Sequence, residues 1–242
     1  MAETVVLLHG FAGTRHAWDL VADRLDPERY RPLALDLRGH GGARDARPIT
    51  VADVVADVAR QAPDRFVLCG YSLGGRVALH VALAHPERVS RLVLVATTAG
   101  IEDPAMREER RAADERLATD TERGTIEEFA DRWSRMPLFA GTPAAAAKVW
   151  RADLLRNDPA ALAAVLRGLG AGTMEPVWDR LAELDGMPVT IIVGERDGRY
   201  TATGRRLAAA LPGARLLLVP GAGHGLPREA PQAVAAAIAS TE

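Results

Sequence analysis

Short apolar runs of strand length alternate along this chain with longer stretches whose apolar positions recur at helical spacing. The runs cover residues 5–8, 33–35, 66–68, 92–95, 189–193 and 216–219, and Gly, Pro or Asp bounds them. Continuous apolar runs suit strands buried on both faces of a parallel sheet. Between them, residues 17–25, 51–60, 74–84, 201–211 and 228–239 read as helices. Trp18, Val21 and Leu25 share one helical face. Val51, Val54, Val55 and Val58 share another, behind Thr50 as N-cap. Pro86 stops the 74–84 helix. The alternation predicts an α/β fold with a mostly parallel, doubly wound sheet and right-handed crossovers.

One segment breaks the alternation. Residues 98–184 contain no clear strand run, are charged and Ala-rich, and carry Trp133, Trp150 and Trp178. A helical insertion between two strands reads as a lid over the carboxyl ends of the sheet, where such folds bind ligands. The expected division is a core of residues 1–97 and 185–242 and a lid of residues 98–184.

At 242 residues with 48% apolar content, the chain is long enough for one α/β domain with an insertion and a sizeable core. The net charge of −2 and the lack of a basic stripe argue against nucleic acid as a partner. Lys148 is the only lysine, so each arginine has to be weighed by position rather than by count. Cys69, the one cysteine, sits in an apolar run and reads as a core residue; no internal disulfide is expected. With no signal-peptide pattern and no run long enough to cross a bilayer, a soluble cytoplasmic protein without membrane partners is expected. No metal-ligand cluster, phosphate loop or dinucleotide fingerprint stands out, so no metal or other cofactor is expected.

The chemistry concentrates at the strand ends. Gly70-Tyr71-Ser72-Leu73-Gly74 is a G-x-S-x-G motif between a strand run and a helix. In that context the turn lifts the serine hydroxyl above the sheet, making Ser72 a candidate nucleophile. The helix start leaves the Leu73 amide free as an oxyanion donor. A serine needs a base. His224 lies in a Gly-rich loop after the last strand run, where function concentrates. His16, His40, His80 and His85 read as ordinary surface or turn residues. The acid that orients the base is Asp197, preferred over Glu195 because it lies further out on the loop after the fifth run. The order Ser, Asp, His is the one this kind of fold uses. His9-Gly10-Phe11 follows the first strand and would place the Phe11 amide opposite that of Leu73, completing an oxyanion hole.

These motifs together resemble the α/β-hydrolase superfamily: Leu8-His9-Gly10-Phe11, Asp36-Leu37-Arg38-Gly39-His40-Gly41, Gly70-Tyr71-Ser72-Leu73-Gly74-Gly75, Gly194-Glu195-Arg196-Asp197 and Ala222-Gly223-His224. A narrower resemblance is to the 2-succinyl-6-hydroxy-2,4-cyclohexadiene-1-carboxylate synthases of menaquinone biosynthesis. Arg76 after the serine motif, Trp18, Phe129-Ala130-Asp131-Arg132-Trp133, Pro137-Leu138-Phe139, Asn157-Asp158-Pro159 and Gly198-Arg199-Tyr200 carry it. The resemblance implies a carbon–oxygen lyase: the triad abstracts a proton and pyruvate is eliminated. The alternative is a carboxylester or lactone hydrolase with an acyl-serine intermediate. A carboxylate-rich small-molecule substrate calls for cations in the pocket. Arg76, one helical turn after Ser72, is either such a contact or a solvated helix charge. Tyr71 flanks the serine as a further substrate contact. The resemblance implies lid arginines as well: Arg110 or its neighbour Arg111, and Arg151 or Arg156. Trp133 either packs over substrate or staples lid to core. The chain departs from the family at Arg38, where proline is usual, and at Gly225 and Pro227, where asparagine and histidine are common.

Overall fold

The structure, a computed structural model, describes residues 2–240. Six strands form one sheet: β1 (Glu3–Leu8), β2 (Tyr30–Leu35), β3 (Phe66–Tyr71), β4 (Val89–Val95), β5 (Val189–Gly194) and β6 (Arg215–Val219). They lie in the order β2-β1-β3-β4-β5-β6, and every pair is parallel. All six predicted runs fall inside these strands.

Side-chain alternation divides the core in two. Val6, Leu8, Leu68, Leu92, Leu94 and Ile191 face one side, joined there by α2 (Val51–Gln61), α3 (Leu73–Ala84) and α8 (Gly198–Ala210). Val5, Leu7, Val67, Cys69, Val93 and Ile192 face the other, against Trp18 and Val21 near α1 (Asp19–Ala22) and Val234 and Ile238 of α10 (Pro231–Ala239). The product is a three-layer α/β/α sandwich, with the central strands β1, β3, β4 and β5 buried on both faces as their unbroken apolar runs require and the edge strands β2 and β6 partly exposed. Cys69 is a buried free thiol in the second core, and burial pushes its pKa up.

Local signals set most element ends. Thr50 caps α2 by accepting from the Asp53 amide. The helix expected over 17–25 is a 3₁₀ turn, Arg15–Trp18, running into α1. The one expected over 228–239 is split at Pro231 into α9 (Leu226–Glu229) and α10. Proline lacks the N–H a continuous helix needs there, yet serves well at a helix start.

Between β4 and β5 lie α4 (Pro104–Arg123), α5 (Ile126–Ser134), α6 (Ala144–Leu154) and α7 (Pro159–Leu169). Asp103, Thr125 and Asp158 cap α4, α5 and α7, and Thr125 forms a capping box with Glu128. Phe129, Phe139, Trp150, Leu154 and Leu162 make a separate apolar cluster that also takes in Ala12 from the loop after β1. No helix among the described residues is long and apolar enough to cross a membrane.

The strand order reverses direction between β1 and β3. In an open parallel sheet such a switch point leaves a crevice at the carboxyl ends of the strands. Leu8 at the end of β1 is in register with Gly70 of β3, so the next residues of each chain segment, Gly10 and Ser72, emerge side by side.

Candidate active site

Ser72 sits between β3 and α3 with φ 52° and ψ −110°, a backbone conformation unusual for an L residue. The flanking glycines make this turn possible. A Cβ on Gly70 would lie 2.3 Å from the Gly74 carbonyl oxygen, and one on Gly74 would lie 2.1 Å from that of Leu8. The Ser72 amide is held by the Val95 carbonyl at 2.9 Å, and its own carbonyl accepts from the Thr97 hydroxyl at 2.7 Å. The serine turn is thus anchored by Val95 at the end of β4 and Thr97 just beyond it.

Asp197 and His224 come from the loops after β5 and β6. Asp197 Oδ2 lies 2.6 Å from His224 Nδ1, and His224 Nε2 lies 3.2 Å from Ser72 Oγ. Acid and imidazole are both buried. The imidazole is enclosed by the rings of Tyr200 at 4.5 Å, Tyr71 at 5.4 Å and Phe139 at 5.8 Å. This arrangement lets His224 accept a proton from Ser72 while Asp197 holds the tautomer. Glu195 faces away: it is exposed, and its carboxylate accepts from the Gly221 amide at 3.0 Å.

The loop after β1 packs against this line of residues. A Cβ on Gly10 would meet the Tyr71 ring at 2.8 Å, so only glycine lets the loop come this close to the serine turn. Among the described residues, neither the Phe11 amide nor the Leu73 amide donates to a protein acceptor. The Phe11 ring packs edge-on against Trp133 at 5.1 Å and Phe129 at 6.1 Å.

A cavity of about 860 Å³ opens above Ser72, between the strand-end loops and the helical insertion. Tyr71, Arg76, Arg110 and Trp133 line it. Burial pushes the Tyr71 hydroxyl pKa up. Arg76 has no carboxylate within ion-pair distance among the described residues; its Nη1 reaches only the Met174 sulfur, at 3.0 Å. Burial lowers its pKa to about 10, which still leaves it charged at neutral pH. Arg110 is held by the buried Asp114 at 2.8 Å. Trp133 lines the cavity and also packs against Phe11 of the β1 loop, and its Nε1 is buried without a hydrogen-bond partner among the described residues.

The other arginines expected at the site from residues 98–184 point elsewhere, whereas Arg132 of α5, not one of those expected, lines the cavity. Arg156 is exposed in the turn after α6 and does not line the cavity. Arg151 is engaged by Asp131 at 2.8 Å, and Arg111 by Glu108 at 3.2 Å, both away from the cavity lining. On an amphipathic surface helix most arginines face water and pair with nearby acids. Sequence reasoning passed over Arg228, a buried cavity-lining residue paired with Asp153 at 2.6 Å. Its place four residues after His224 was the available signal.

The departures at Arg38, Gly225 and Pro227 leave the cavity lining untouched. Arg38 forks onto Asp57 of α2 at 2.5 and 3.0 Å, which raises its pKa and lowers that of Asp57. The Gly225 amide donates to Glu229, which also takes the Gly223 amide and so braces the His224 loop from behind. His40, expected at the surface or in a turn, is in a turn but fully buried, as is His9.

Residues 5–237 match the model of the alpha/beta hydrolase family. The chain is 33% identical to 2-succinyl-6-hydroxy-2,4-cyclohexadiene-1-carboxylate synthase of Klebsiella pneumoniae, covering 97% of this chain and 92% of the relative. It is also 33% identical to the pimeloyl-[acyl-carrier protein] methyl ester esterase of Nitrosomonas europaea, covering 91% and 88%. Among solved structures, MenH from S. aureus superposes with a TM-score of 0.90 at 27% identity, covering 98% of this chain and 92% of that one.

Proposed function

The chain belongs to the alpha/beta hydrolase family, and from that premise we propose that it is a carbon–oxygen lyase. It eliminates pyruvate from the 2-succinyl-5-enolpyruvyl-6-hydroxy-3-cyclohexene-1-carboxylate intermediate of menaquinone biosynthesis. The observation that carries this reading is Arg76: a half-buried cation in the cavity wall with no ion-pair partner among the described residues. A charge withdrawn from water without a protein partner is costly unless a ligand supplies the opposite charge. A substrate bearing several carboxylates does so, and the planar guanidinium donates to one of them bidentately. Arg110 and the Tyr71 hydroxyl add further donors on the same lining. The helical insertion closes over this substrate as a lid.

The chemistry uses the serine as a base rather than as an acyl acceptor. His224, oriented by Asp197, takes the Ser72 proton as Ser72 Oγ removes a proton from C2, the ring carbon beside the succinyl carbonyl. The Phe11 and Leu73 amides hold the charge that develops on that carbonyl oxygen. The electron pair of the broken C–H bond forms the C2=C3 double bond, the C3=C4 pair moves to C4=C5, and the C–O bond from C5 to the enolpyruvyl group breaks. The abstracted proton returns to the leaving enolpyruvate, which departs as pyruvate.

A second reading, ester or lactone hydrolysis through an acyl-Ser72, is favoured by the apolar part of the lining, which includes Leu117, Val165, Leu166 and Leu169. The two readings are separated by one experiment. Purified protein given the intermediate should release pyruvate, followed by coupled NADH oxidation, and Ser72→Ala should abolish the release. Absence of pyruvate together with fast turnover of nitrophenyl esters would refute the lyase.

A further inference from the structure

Ala12 is the one residue of the β1 loop in the left-handed backbone region, at φ 59°, where an L side chain is disfavoured. It is fully buried and directly follows Phe11, whose amide donates to no protein acceptor among the described residues. Both of its backbone polar groups are taken by side chains from distant segments. Its amide donates to His40 Nε2 at 3.2 Å. Its carbonyl accepts from Asn157 Nδ2 at 2.8 Å. The two partners are tied to each other as well, because the Gly41 amide donates to Asn157 Oδ1 at 3.1 Å.

The chemistry of each partner suits this task. An amide can only donate, so Nε2 of His40 is an acceptor and the ring proton sits on Nδ1, 3.2 Å from the Arg38 carbonyl. A buried, neutral imidazole is therefore built into the clamp. Its ring packs against His9 at 4.7 Å and Phe11 at 6.0 Å. His9 anchors the neighbouring backbone in the same way, accepting from the Leu37 amide at 3.0 Å and facing the Gly10 carbonyl at 2.8 Å. Asn157 is buried in the turn between α6 and α7 of the insertion. Its carboxamide supplies both a donor and an acceptor, so it joins the insertion to two strand-end loops at once.

We propose that His40 and Asn157 are positioning residues: they clamp Ala12 in its left-handed conformation and so aim the Phe11 amide at the oxyanion formed beside Ser72. The Asn157 arm makes the oxyanion hole depend on the insertion being seated. The proposal rests on the reading of Phe11 and Leu73 as oxyanion donors, and it holds for either the lyase or the hydrolase chemistry.

The test compares His40→Leu, His40→Gln and Asn157→Ala with wild type. Glutamine places an acceptor near the position of Nε2, and leucine removes it. Two readouts are taken: pyruvate release, and inhibition by phenylboronic acid. In the second, the Ser72 oxygen bonds to boron and its proton passes to His224, leaving a tetrahedral anion in the oxyanion hole. His40→Leu and Asn157→Ala should each lower kcat by 10-fold or more, leave KM within 2-fold, and weaken phenylboronate inhibition in parallel. His40→Gln should recover most of both. Unchanged kcat and boronate inhibition in Asn157→Ala would overturn the proposal, as would equal losses in His40→Leu and His40→Gln. If His40→Leu does not fold, Asn157→Ala and His40→Gln decide between these outcomes. If wild type binds phenylboronate but releases no pyruvate, the lyase reading fails and the boronate series still judges the clamp.

Discussion

A half-buried arginine and a buried one line different walls of the same cavity and are treated in opposite ways. On the wall formed by α3, the Arg76 guanidinium makes its one hydrogen bond among the described residues to the Met174 sulfur. On the wall formed by the His224 loop, Arg228 is paired with Asp153 at 2.6 Å, and the same carboxylate accepts the Thr14 amide at 3.2 Å and the Thr14 hydroxyl. The second wall is an ion-paired joint between α6, the β1 loop and α9, in which Arg228 Nε is buried without a partner among the described residues. The first holds a positive charge with no ion pair among the described residues; Asp114 acts on it only from a distance and is itself paired with Arg110. In a medium of low polarity an unpaired charge is a standing cost, which the bound ligand can remove. A site is therefore recognised less by the presence of a cation than by the absence of its acid.

Breaking the ion-paired wall should give the largest effect. Asp153→Ala strands Arg228 and releases Thr14, so chemical denaturation should show a loss of about 3–5 kcal/mol. Removing both charges, as Asp153→Leu with Arg228→Met, should recover most of that loss, because an apolar pair avoids the stranded cation. If the double variant is no better than the single one, the joint is not an isolated ion pair.

The wall that holds Arg76 should respond in function instead. Arg76→Gln removes a charge-assisted contact worth about 1.5–3 kcal/mol, so kcat/KM for pyruvate release should fall about 10–150-fold. Turnover of nitrophenyl acetate, which carries no carboxylate, should stay within about 3-fold of wild type. Equal losses on both substrates would show that Arg76 supports the fold of the site rather than binding an anion. Arg76→Met should sharpen the contrast from the other side. It relieves the burial that lowers the arginine pKa to about 10, so stability should rise by about 1–2 kcal/mol as activity falls.

A last expectation concerns acid. His9 and His40 both have pKa values lowered by burial, so the unfolded chain binds more protons than the folded one below the ordinary value of 6.5. Their contribution to stability is complete above pH 6.5 and declines as the pH falls below it. Urea midpoints at pH 7.5, 6 and 5 should decrease in that order, and His40→Gln should flatten the slope. An unchanged slope would place the titrating group elsewhere.

Much of this molecule was readable from residue order alone. The six apolar runs became six parallel strands, because a strand buried on both faces needs an unbroken apolar run and little else does so at that length. The G-x-S-x-G turn was equally explicit: only glycine avoids the close approaches at Gly70 and Gly74. The positions of Asp197 and His224 followed from loops at the ends of β5 and β6. Those features depend on neighbours within a few residues or on the carboxyl-end rule of parallel sheets.

What residue order could not decide was which polar groups have partners. Arg76, Arg110, Arg151 and Arg156 look alike in the sequence, yet Arg76 lies in the cavity wall with no ion pair among the described residues, Arg110 and Arg151 pair with acids, and Arg156 is exposed in a turn. His40 reads as a turn residue, and its burial depends on the folding of the β1 loop and the insertion around it. The Asp153–Thr14 bond joins residues 139 apart and the Asp153–Arg228 bond residues 75 apart. The sequence by itself determined where strands end and where a serine, an acid and a base emerge, because local geometry and periodicity encode those things. Only the tertiary structure decided which charges are answered, because pairing and burial are properties of segments brought together from far along the chain.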